Sequence, residues 1–288
     1  MSRFLEAFRE EIKKRKANVF AAAEYCGGRL EAMQLVLTNP CQNVYSVAKA
    51  YVVTAVGLAV DRGLLSEEET VTEILREDCP ENYQRVWDQV TVEMLLWHQV
   101  PLPKNFLDID VCDSREFGED YLAHILKTAV ETEDGTYPPR YTDAAYYLLS
   151  RIVEKRTGMG MDDFLWKHLF FPTGCREAAW SHCPRGHVIG ATGLYIRAEE
   201  LVKLGAVYLQ GGLWEDTRIL SEDWVNTVLQ KGYELKPQAE GRAFCKGGMR
   251  GQMLMLIPEA GRVVAYQGCG DHNFVDFIAA YDENRLPN

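Results

Sequence analysis

The chain has 288 residues, with 31 Lys and Arg against 42 Asp and Glu, for a formal net charge of −11. Phosphate contacts need a basic surface, so this balance argues against a nucleic-acid partner and against docking to an anionic membrane. At 47% hydrophobic and 25% charged residues, the composition is that of a folded globular protein with a sizeable core.

Residues 1–16, MSRFLEAFREEIKKRK, are too charged for the apolar centre of a signal peptide. The most apolar stretch, Tyr51–Val60, is too short to span a bilayer. Eight cysteines with no CxxC pairing then read as reduced thiols of a cytoplasmic protein.

In chain order, residues 3–16 read as an amphipathic helix with Phe4, Leu5, Phe8 and Ile12 on one face. Val19–Tyr25 and Glu31–Leu37 read as strands joined by a Gly27-Gly28 turn. Val44–Asp61 is apolar all round, which predicts a buried helix. Ser66 and Glu69 have the form of a capping box that opens the next helix. Thr91–His98 and Tyr121–Ala129 are short helical candidates, and Asp143–Thr157 is a stronger one, with Asp143 as N-cap and Gly158 past its end. Arg197–Gln210 is helical up to Gly211-Gly212, and Ser221 caps a further helix. Ala243–Lys246, Gln252–Ile257 and Arg262–Gln267 read as strands, and a last helix covers about Asn273–Tyr281. Strands at both ends with helices between them predict one sheet built from both termini.

Three segments carry chemistry. In Ser46-Val47-Ala48-Lys49, a helix brings the amine one turn beyond the hydroxyl, on the same face. A neutral Lys there can take the Ser proton, and the helix start favours developing negative charge. The plainer alternative is a Lys that snorkels to the surface. Tyr141 follows a Pro138-Pro139 loop and precedes a helix, where a phenol with cationic neighbours can act as a base; a packing Tyr is the alternative. Lys246-Gly247-Gly248 puts two glycines on a strand, which suits either a bulge or a close approach of something to the backbone. The N–H of Met249 can join that of Ser46 as an oxyanion hole.

Taken in order, the three segments resemble the serine β-lactamase and penicillin-binding-protein superfamily, on its class C and esterase side. The family order is SxxK, YxN, then a KTG-type triplet; here it is Ser46–Lys49, Tyr141–Asp143, Lys246–Gly248. The resemblance extends through GLAVDRGLLS, TVEMLLWH, GLYIRAEELVKLGAVYLQGG and GMRGQMLMLIPEAGRVVAYQ. It implies an α+β fold in one β-lactamase-related domain, 1–288. An antiparallel sheet flanked by helices, about 1–62 and 190–288, would join a mainly helical lobe, about 63–189, with the active site between them. It implies Ser46 as nucleophile, Lys49 as its activating partner, Tyr141 as general base and acid, and Lys246 as the cation that eases ionisation of Tyr141 and holds a substrate carboxylate. Asp143, Gly247, Gly248, Met249 and Arg250 are the expected substrate-binding residues.

Two positions depart from the family pattern. Asp143 stands where Asn is usual and removes an amide donor; Gly247 stands where Thr or Ser is usual and removes a hydroxyl. Both fall on groups that grip β-lactams, so the expectation is a serine hydrolase of a small ester or amide, with Arg250 replacing the lost anion contact. A catalytically impaired binding or regulatory protein is the first alternative, and a β-lactamase or D-amino-acid peptidase of the cell wall the second. No cofactor and no metal is expected, because the Cys175, His182, Cys183 and His187 spacing fits no structural-zinc pattern. The expected partner is a small molecule.

Overall fold

A computed structural model describes residues 1–130 and 136–281. The chain divides into two compact units. The first comprises Met1–Ala50, Phe170–Ala179 and the described residues from Leu194 onward; the second comprises Tyr51–Leu169 and Trp180–Gly193.

The first unit is built on a six-stranded antiparallel sheet that unites the two ends of the chain. Val19–Cys26 lies between Arg29–Gln34 and Arg262–Gly268, and beyond these come Gln252–Ile257, Ala243–Gly248 and Lys236–Gln238. Gly27 and Gly28, at φ +57 and +77, make the first hairpin turn, a backbone that side chains with a Cβ resist. One face packs under the Ala198–Leu209 helix, whose Gly205 lies so close that an added Cβ would sit 2.4 Å from Val263. The other face is covered by the first and last helices, Arg3–Arg15 and Val275–Ala280, through Phe4, Phe8, Tyr266, Phe274 and Ile278. Their burial supplies the apolar driving force of this half. Arg262 ties both helices to the sheet: its guanidinium lies 5.0 Å from the rings of Phe4 and Tyr281 and pairs with buried Glu24 at 2.6 Å.

The second unit is mainly helical. Its longest helix, Asp143–Thr157, packs against Val71–Ile74, Val92–Leu96 and Met161–Leu165. Three local expectations are corrected. Ser66 and Glu69 form a turn, with the Ser66 N–H donating to Glu69 at 2.8 Å, and the capping box that opens the helix is Thr70–Glu73. The N-cap of the long helix is Thr142, which accepts from the Ala144 N–H; Asp143 is the first helical residue, where its carboxylate faces the positive end. The segment from Val44 opens as a 3₁₀ turn, Tyr45–Val47, before the α-helix Ala48–Val60 begins. The strand Lys236–Gln238 and the pair Leu213–Trp214 and Thr217–Arg218 are too short to leave a period-two pattern, and the sequence reading missed them. No helix among the described residues is long and apolar enough to cross a membrane.

Candidate active site

Tyr45 adopts φ +47, an outlier for a bulky residue, and its N–H is held by the Asn43 side chain at 2.9 Å. This sharp turn delivers Ser46 half-buried at the front of the helix, one turn before Lys49. Lys49 is fully buried, and its Nζ lies 3.0 Å from Ser46 Oγ, with the amine donating. An amine taken out of water and placed on a hydroxyl is the arrangement that proton transfer from Ser requires.

The strand Ala243–Gly248 pairs with Gln252–Ile257 so that Gly248 faces Gln252, and Met249–Gly251 forms the hairpin turn between them. The strand therefore continues two residues past Lys246, the end expected from the sequence. The two glycines of the triplet have different reasons to be there. A Cβ on Gly248 would lie 2.3 Å from the Val44 carbonyl oxygen, so this strand is pressed against the turn that carries Ser46. A Cβ on exposed Gly247 would meet nothing nearer than Met253 at 3.5 Å, an ordinary contact. The close approach expected at this position is thus made, at Gly248, by the protein's own backbone. Met249 and Arg250 are exposed on the turn, and the Arg250 guanidinium lies 5.9 Å from the Tyr45 ring.

Lys246 is buried, and its Nζ forms an ion pair with the buried carboxylate of Glu234. The sequence reading missed Glu234. It follows the Glu222–Lys231 helix at the centre of a three-residue turn, with φ +61, in which the Leu235 N–H donates to the Tyr233 carbonyl at 2.8 Å. Cys245 lies beside Lys246 in the strand, and burial pushes its thiol up to about 12, which leaves it protonated and unreactive. At the foot of the hairpin, the His272 ring lies against Gly251 and Gly268, where an added Cβ would stand 2.6 and 2.9 Å from its Nε2. Burial lowers the pKa of His272, the Asp271 charge opposes that shift, and the neutral ring is favoured.

Tyr141 and Asp143 belong to the second unit. The Tyr141 ring is tilted against His98, 4.7 Å between centroids, and His98 also packs on Tyr146. His98 is buried at φ +56, its Nδ1 lies 3.1 Å from the Thr142 carbonyl, and the Arg140 N–H donates to its own carbonyl at 3.0 Å. The Tyr141 carbonyl accepts from the Asn105 N–H at 2.9 Å. The half-buried phenol is therefore mounted on a histidine and fixed through its backbone on both sides. Asp143 is buried, and its carboxylate lies with those of Asp108 and Asp110, ligand atoms within 4.8 Å of one another. Of the residues weighed for zinc, His187 instead pairs with Glu154 at 2.9 Å and His182 with Asp162 at 3.1 Å.

Residues 34–285 match the Beta-lactamase family. Over 245 residues the chain is 26% identical to the 6-aminohexanoate-dimer hydrolase of Paenarthrobacter ureafaciens, covering 79% of this chain and 60% of that protein. The chain thus spans about six tenths of the length of this relative. Among solved structures, it resembles the octameric penicillin-binding protein homologue from Pyrococcus abyssi, with a TM-score of 0.70 at 19% identity over 96% of this chain and 75% of the other. It also resembles the class C beta-lactamase of Rhodobacter sphaeroides, with a TM-score of 0.64 at 17% identity over 96% of each chain. At such identities these likenesses establish the fold: an antiparallel sheet with flanking helices of the β-lactamase type. With the family matched over most of its length, and the SxxK, YxD and KGG segments in family order, the chain belongs to the beta-lactamase family.

Proposed function

We propose that the protein is a serine hydrolase that cleaves a small ester or amide through an acyl-enzyme on Ser46. The observation that carries this reading is the fully buried Lys49 with its Nζ 3.0 Å from Ser46 Oγ. In the neutral form, Lys49 accepts the Ser46 proton as Oγ bonds to the acyl carbon. The tetrahedral oxyanion is taken by the N–H groups of Ser46 and Met249. Collapse expels the alcohol or amine, which takes the proton from Lys49; water then gives a proton to Lys49 as it adds to the acyl carbon, the Ser46 Oγ–carbon bond breaks, and that proton returns to Oγ as the acid leaves. Tyr141 serves as the proton carrier of these steps, and its mounting on His98 suits a group that must keep one position. The family relation supports the reaction class, and the 6-aminohexanoate-dimer hydrolase supports small amides as candidate substrates. The missing hydroxyl at Gly247 and missing amide at Asp143 favour esters and small amides over β-lactams.

Steady-state hydrolysis of p-nitrophenyl acetate tests the proposal. The wild type is expected to exceed its Ser46→Ala variant by about a thousandfold in kcat/KM, with the fold intact by circular dichroism. Equal rates would favour a family member that binds without catalysing.

A further inference from the structure

We infer that Glu234 is a specificity-determining residue that cancels the charge of Lys246, so that the acyl group accepted beside Lys246 is uncharged. The inference rests on the proposed hydrolase reading, and it concerns what that site selects.

Lys246 is the triplet cation, and a free ammonium at this place would attract a substrate carboxylate. Here it is not free: the ammonium is 8% exposed as a residue and bonded to a carboxylate that is 2% exposed. A buried pair in contact presents a dipole to a ligand, whose field dies away faster than that of a single charge. A carboxylate brought close to Lys246 would also meet the negative charge of Glu234. Lys236 and Arg250 are exposed, where water and salt screen them.

Glu234 sits at the centre of a three-residue turn at positive φ, a strained position that glycine would relieve, and its carboxylate meets Lys246.

The test compares kcat/KM for a neutral ester, p-nitrophenyl butyrate, with that for the mono-p-nitrophenyl ester of glutaric acid, in the wild type and in Glu234→Gln. The wild type is expected to prefer the neutral ester. Glu234→Gln is expected to move the ratio towards the carboxylated ester by about tenfold or more, mainly through KM, with the gain shrinking in high salt. Removing the second charge, in Glu234→Gln with Lys246→Gln, is expected to return the ratio to near its wild-type value, which a packing effect alone would not do. If Glu234→Gln fails to fold by circular dichroism, Glu234→Ser removes the same charge from a smaller volume and is expected to move the ratio the same way. A ratio within about twofold of wild type in the folded variants would overturn the inference while leaving Ser46-dependent turnover in place. An absence of Ser46-dependent turnover in the wild type itself would overturn the hydrolase reading, and the inference with it.

Discussion

Lys49 and Lys246 are both buried in the same unit, yet they are held in opposite ways. The Lys49 amine lies on a hydroxyl one helical turn away. Lys246 meets a carboxylate brought from twelve residues earlier by a positive-φ turn, so its charge is compensated. The difference teaches that a motif lysine does not carry a fixed function. Its nearest partners set what charge and what hydrogen bonds it offers.

Substitution of Lys49 is expected to have the largest effect. Lys49→Ala should lower kcat for p-nitrophenyl acetate by about 10³-fold with a smaller change in KM, because proton transfer to a positioned group contributes about 10²–10⁴. Steady-state kinetics checks this, and a kcat loss below tenfold would place the activating base elsewhere.

The two glycines next to Lys246 sharpen the comparison at lower energy. Gly248→Ala puts a Cβ against the Val44 carbonyl at 2.3 Å, so strand or turn must move. We expect a loss of about 1–3 kcal/mol in thermal unfolding, together with lower kcat because the Val44 turn that is pressed also bears Ser46. Gly247→Ala has room and an ordinary strand position, so its unfolding midpoint should stay close to wild type or rise slightly. Equal damage from both would mean that the strand is not pressed on the Val44–Ser46 turn.

The same contrast explains what the sequence disclosed. The Ser46–Lys49 contact follows from the i, i+3 geometry of a helix, which any reader of the chain can apply. The sheet made from both termini was legible because Val19–Cys26 and the last two strands are apolar runs bounded by glycine turns. The family order of three short segments supplied the rest of the fold. Glu234 was not legible. It is one of 42 acidic residues, in an irregular stretch, and its role depends on a positive-φ turn that a non-glycine residue does not announce. The support of Tyr141 by His98 was hidden for the same reason, since His98 also takes positive φ to reach back across 43 residues. The helix start at Thr70 was misread at Ser66 because both positions carry a hydroxyl residue followed by Glu three residues later, and the apolar residue that follows Thr70 is the one buried.

Covalent trapping tests the central claim most directly. A fluorophosphonate probe should add a single phosphonyl group to the intact protein, and peptide mass spectrometry should place it on the tryptic peptide that contains Ser46. Folded Ser46→Ala should take up none. Stoichiometric labelling of that variant, or a label mapped to any other residue in the wild type, would contradict the assignment of Ser46 as the nucleophile.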